Sequence, residues 1–253
     1  MTLDKRFLIS IPISNGTYKE FIDSIITLAV NKASAYVCVA NVHMLVEAYR
    51  DPDFARVVEN ADLITPDGMP LAKAIKSFYG INQERVAGMD ILTDLLNIAE
   101  KKKLGVYFYG GSPEMLTNTN RFISIKYPNL KISGLYSPPF RALSIEEEAD
   151  DIIKINNASA SIIFVVLGCP KQEKWMYRMK GKINAVMIGI GGALPVLIGM
   201  QKRAPYWMQK NSLEWLWRFQ QEPRRLFKRY FITNAMFLGL YYKALLNKFF
   251  NRK

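Results

Sequence analysis

The chain has 253 residues, half of them hydrophobic, with 34 Lys or Arg against 22 Asp or Glu and a net charge of +12. A chain of this length and apolar content buries a full α/β core without external staples, as one main domain with an appendage. Its two cysteines, Cys38 and Cys169, each lie in an apolar run and read as small buried hydrophobes, pointing to a reducing compartment rather than a secreted disulfide framework.

The predicted elements alternate along the chain. MTLDKRFLISIPIS sets charges beside only a short apolar run before Asn15 and Gly16, so no signal peptide is expected. RFLISIPI reads as the first strand. Phe21, Ile25 and Leu28 then repeat at helical spacing behind a Thr17 cap. AYVCVA, ADLIT, GVYFYGG, KISGLY, SIIFVVLG and NAVMIGIG follow as strands, with amphipathic segments between most of them, including Ile91, Leu95 and Ile98 before Gly105. Ser112-Pro113-Glu114 has the cap, first-turn proline and early acid of a helix start, and Ser144 with Glu147 forms a capping box. This order implies an α/β fold of the Rossmann-like kind, a mostly parallel sheet with helices on both faces.

From about Arg203 the chain turns aromatic and basic, reading as two or more amphipathic helices, the second starting near Pro223. Residues 201–253 carry twelve Lys or Arg against Glu214 and Glu222, so +10 of the +12 lies there. The expected division is a catalytic domain over 1–200 and a basic helical appendage over 201–253. A polyanion or an anionic membrane surface would satisfy this asymmetry equally. The longest uncharged apolar stretch, Tyr230 to Tyr242, would span about 20 Å as a helix and is too short to cross a bilayer core of about 30 Å.

Several strand ends carry polar groups, and ligands of open α/β sheets bind at that edge. In ADLITPDGMP a Pro-Asp-Gly turn lifts Asp67 there, either as a general base or as an ordinary turn residue. Asn41 follows AYVCVA, where it reads a sugar or uracil or caps a helix. His43, the only histidine, sits one turn into a helix, where packing is the commoner role. Asp51-Pro52-Asp53 matches an Asp-x-Asp metal site, but its proline and helical flanks favour a helix junction. No metal is expected, which leaves arginines and helix N-termini, such as the Gly111-Ser112 turn, to hold a leaving diphosphate. GCPKQE offers Gln172 and Glu173 to the same edge. GIGGALP, with Gly191, marks a sharp turn and not a dinucleotide fingerprint.

Taken together, NVHML, ADLITPDGMP, RVAGMD, YFYGGSP, GCPKQE, GIGG followed by QKRAPYWMQK, and LEWLWRFQQEPRRLFKRY resemble the WecG/TagA/CpsF family of glycosyltransferases, in order, from about residue 35 to residue 230. The resemblance implies a metal-independent, inverting transfer from a UDP-sugar to a polyprenyl-diphosphate-linked amino sugar. The enzyme would act as a peripheral protein on the cytoplasmic face of the membrane. Typical donors are UDP-N-acetylmannosamine and its uronic acid. It places the catalytic base on Asp67 and substrate contacts on Asn41, Arg85 and Gln172, with Asp90 and Gly191 in the matching motifs. Arg218, Arg225 and Arg229 become the diphosphate or membrane contacts. Many members carry Thr two residues before the asparagine, where this chain has Val39, so the donor sugar stays open, as does assembly into a homo-oligomer. Two other classes fit parts of the chain. A nucleic-acid-binding protein would use the basic aromatic tail, though no nucleic-acid partner is expected, and a nucleotide-dependent oxidoreductase would need a glycine fingerprint where IPISNGT stands.

Overall fold

The computed structural model describes residues 3–250, with the side chains of Arg225, Lys228 and Phe249 left aside. Its centre is a six-stranded, wholly parallel sheet. The strands are β3 (Ala35–Ala40), β4 (Leu63–Pro66), β5 (Val106–Gly110), β6 (Ile132–Tyr136), β7 (Ile162–Val166) and β8 (Val186–Gly189), in the order β4-β3-β8-β7-β5-β6.

RFLISIPI is not a strand of this sheet. It folds into an antiparallel hairpin of β1 (Lys5–Leu8) and β2 (Ile11–Ser14), pairing Leu8 with Ile11 across a turn in which Ile9 adopts φ 62°. The hairpin lies against the edge strand β4, where Ser14 Oγ accepts from the Ile64 amide at 3.1 Å and Lys5 Nζ donates to the Ala61 carbonyl at 2.6 Å. Backbone groups that would otherwise template an outside strand are partly occupied in this way.

Period-two alternation puts opposite faces of each strand into two cores. Tyr36, Cys38 and Ala40 face one side with Tyr107, Tyr109, Ile163, Val165 and Met187. Helices α2 (Val42–Arg50), α3 (Pro52–Glu59), α4 (Met69–Tyr79), α7 (Ile145–Asn157) and α8 (Lys171–Met179) cover that side. Val37, Val39, Phe108, Phe164 and Ile188 face the other, beneath α1 (Tyr18–Val30), α5 (Gly88–Lys102), α6 (Pro113–Lys126) and the short α9 (Ala193–Leu197). The caps read from sequence at Thr17, Ser112 and Ser144 are all formed.

The basic tail forms α10 (Tyr206–Lys210), α11 (Glu214–Gln221) and α12 (Pro223–Phe250). Lys202 ties this region together: its amide donates to Gln221 Oε1 at 2.9 Å, and its carbonyl accepts from Trp217 Nε1 at 3.0 Å. Helix α12 packs along α2, sends Phe237 into the first core and sets Tyr241 edge-on to Phe78 of α4 at 5.6 Å. Its opposite face is bare, with Phe231 70% and Tyr242 61% exposed.

Candidate active site

The carboxyl ends of the strands open into a cleft of about 1030 Å³, roofed by α11 and the first half of α12. Asp67 lies in its wall. The Asp67 amide donates to the Ala40 carbonyl at 2.8 Å, so the β3–β4 ladder runs one residue past the strand and fixes the turn. Helix α5 begins without a side-chain cap of its own, and Asp67 Oδ1 supplies one, accepting from the Gly88 amide at 2.9 Å. Desolvation raises the Asp67 pKa first and the negative charge of Glu214 raises it further, while Arg218, Arg85 and the Gly88 amide pull it back. The net effect is upward, which makes the ionised carboxylate a stronger proton acceptor.

Arg85 sits beside it. Its Nε donates to the Asp67 carbonyl at 3.1 Å, and its guanidinium lies 3.4 Å from Glu214 and 3.8 Å from Asp90. Glu214 also reaches Arg218 at 3.6 Å, so one acid from the tail bridges two cleft arginines. Asp90 does not line the cleft; it pairs with Arg203 and braces Arg85 from behind. Arg229 lines the cleft with its guanidinium 5.3 Å from the Tyr230 ring, whereas the Arg225 side chain lies outside the described residues. His43 also lines it. Burial, then the Arg229 charge, holds its imidazole below the usual range, so it is neutral at pH 7.

Asn41 caps a helix, as one of its two readings expects, and also lines the cleft. Oδ1 caps α2 by accepting from the Met44 amide at 3.2 Å, and Nδ2 remains without a partner among the described residues at the cleft wall. Asp51 caps α3, accepting from the Asp53 and Phe54 amides, and its second oxygen pairs with Lys174 at 2.9 Å, so Asp51-Pro52-Asp53 is a helix junction. The Gly111 amide, expected to hold a leaving diphosphate, is already committed, and so is the Gly191 amide. The Gly111 amide donates to the Val166 carbonyl at 3.0 Å and the Gly191 amide to the Val165 carbonyl at 3.3 Å. Both residues still line the cleft with Ser112, whose hydroxyl caps α6 by accepting from the Met115 amide.

Gln172 lines the cleft, but Glu173 does not reach the edge. On α8 adjacent side chains diverge by about 100°, and Glu173 turns inward to complete burial. Its Oε1 accepts from Gln172 Nε2 at 2.8 Å and its Oε2 has no hydrogen-bond partner among the described residues. Desolvation pushes this carboxyl up to about 7 against the pull of Gln172, of its own backbone amide and of Cys169.

Between pH 4.5 and 7 the folded chain holds a proton on Glu173 that the unfolded chain releases, so stability is lost as pH rises through that window. The loss totals about 3 kcal/mol, from about 1.36 kcal/mol per pH unit. Glu173→Gln should therefore gain stability relative to the parent between pH 5 and pH 8 in urea unfolding, and a pH-independent difference would count against the buried carboxyl.

A carboxylate in the cleft wall, with arginines converging from core and tail, equips a parallel α/β crevice for group transfer with an anionic leaving group. That class is a transferase. Comparison with known proteins makes it specific: residues 6–251 match the model of the glycosyl transferase WecG/TagA/CpsF family, and the chain belongs to that family of glycosyltransferases. It is 32% identical over 218 residues to the N-acetylglucosaminyldiphosphoundecaprenol N-acetyl-β-D-mannosaminyltransferase of Bacillus subtilis (strain 168), covering 85% of this chain and 83% of that one. Identically named proteins match at 31% in Bacillus spizizenii (81% and 82% covered) and 25% in Staphylococcus aureus strain MW2 (89% and 91% covered).

Proposed function

We propose that this chain transfers N-acetylmannosamine, or a close relative of it, from a UDP-sugar to N-acetylglucosaminyl-diphosphoundecaprenol, with inversion and without a metal. The observation that carries this reading is Asp67, the carboxylate held in the cleft wall by the α5 N-terminus with Arg85 and Arg218 near it. Asp67 takes the proton from an acceptor hydroxyl, whose oxygen attacks the anomeric carbon as UDP leaves from the opposite face. One base suffices for one displacement. Arg218 and Arg229 carry the charge that grows on the departing diphosphate.

The acceptor named for the relatives is lipid-linked. No helix among the described residues is long and apolar enough to cross a membrane. The bare face of α12 and the +10 of residues 201–253 support peripheral docking on an anionic leaflet at the cytoplasmic face, worth about 1 kcal/mol per Lys or Arg near the surface.

Radiolabelled UDP-sugars incubated with the lipid-diphosphate acceptor test this directly. The expected result is transfer from UDP-N-acetylmannosamine that persists in EDTA, since Asp51 and Asp53 serve a helix junction. Absence of transfer from every UDP-sugar sinks the reading. Loss in EDTA restored by Mg²⁺ or Mn²⁺ sinks its metal-free part.

A further inference from the structure

We propose that Glu173 is a positioning residue, the buried acceptor that fixes the orientation of the Gln172 side-chain amide at the cleft wall. A free glutamine amide flips between two orientations that exchange donor for acceptor. Here both ends are specified. Gln172 Oε1 accepts from the Gly168 amide at 3.2 Å, and Nε2 donates to Glu173 Oε1 at 2.8 Å, so the flipped amide would set donor against donor and acceptor against acceptor. The second Nε2 proton has no partner among the described residues and belongs to a side chain in the cleft lining.

The turn after β8 is shaped around this amide. A β-carbon at Gly189 would stand 2.8 Å from Gln172 Nε2, and one at Gly191 would stand 3.2 Å from Oε1. Bare backbone at both positions lets the amide lie flat against the strand end. Behind it, α8 is held to β5 by Trp175 stacked on Tyr109 at 4.2 Å, with the Tyr109 hydroxyl donating to Asp151 at 2.8 Å.

A merely structural account of Glu173 meets a difficulty. The carboxyl is fully buried beside Gln172 and the thiols of Cys169 and Cys38, and its Oε2 has no hydrogen-bond partner among the described residues. Such a group costs stability, and an apolar residue of like size would serve packing better. What an apolar residue lacks is the acceptor for Nε2.

The inference rests on the proposed transferase reading for its activity measurement and not for its spectroscopic one. Glu173→Met, with Glu173→Leu as the substitute should Met fold poorly, removes the acceptor, whereas Glu173→Gln keeps one. The apolar variant is expected to melt at or above the parent temperature at pH 8 yet lose about tenfold or more in kcat, as a misplaced contact does. Glu173→Gln should stay within about twofold. Gln172→Ala should lose as much as Glu173→Met, and the double variant no more than Gln172→Ala alone. Independently, the Gln172 carboxamide NMR signals, assigned by their disappearance in Gln172→Ala, should move to free-amide positions in Glu173→Met and hold in Glu173→Gln. Unmoved amide signals in Glu173→Met overturn the inference whatever the enzyme does. Multiplying losses in the double variant overturn it as well. An inactive parent with the expected amide shifts would sink the transferase reading and leave the positioning role standing.

Discussion

Asp67→Asn should fold, bind the donor and lose about 10²-fold or more in turnover, the scale of a positioned general base. The asparagine carbonyl can still accept from the Gly88 amide, so the α5 N-terminus keeps its cap. Removing the charge also ends its desolvation cost and its repulsion with Glu214, which in the parent outweigh the attraction of Arg218 and Arg85 and raise the Asp67 pKa. Stability is therefore expected to hold or rise while catalysis falls, separating a lost base from a damaged fold. Calorimetric UDP binding beside kcat makes the measurement. Near-parental turnover in a folded variant would remove Asp67 from the mechanism.

Arg218→Ala should cost about 10²-fold with a short, water-soluble acceptor, the loss typical when one stabiliser of developing negative charge is removed. Arg218 comes from α11 and reaches over the turn after β8, where a β-carbon at Gly192 would lie 3.4 Å from Nη1. Its ion pair with Glu214, partly exposed at 3.6 Å, is worth little by itself. The expected loss is in catalysis and not in melting temperature. Full activity on the soluble acceptor with failure only on liposomes would make Arg218 an anchor and leave the diphosphate to groups of the core.

The parallel sheet was legible because buried strands such as AYVCVA and SIIFVVLG are almost wholly apolar and end in polar turns, while the helices between them carry caps that sequence displays openly. RFLISIPI misled because its alternation suits a hairpin as well as one longer strand, and Ile9 takes a left-handed turn with none of the usual Gly or Asn to announce it. Asp67, Asn41 and Gln172 line one cleft, as their strand-end positions implied, and Arg85, placed by the family resemblance, lines it with them. What sequence hid was partnership. Whether the Gly111 amide is free depends on Val166, which is 55 residues away, and the bracing of Arg85 depends on Glu214. One clue was visible: Glu214 is one of only two acids among twelve basic residues in the tail. Glu173 had no such signal, since a charged residue beside Gln172 on a helix gives no hint that it points inward.

Helix α12 touches three surroundings at once. Leu226, Arg229, Tyr230 and Thr233 line the cleft, Phe237 enters the core, and Phe231, Leu238 and Tyr242 face outward. A 28-residue helix of about 42 Å is stiff on this scale. Anything that grips the outer face would therefore act on the same rod that carries Arg229, and docking on a surface would then share a single mechanical coordinate with the width of the cleft. An enzyme built this way would register the state of its support in its turnover as well as in its location.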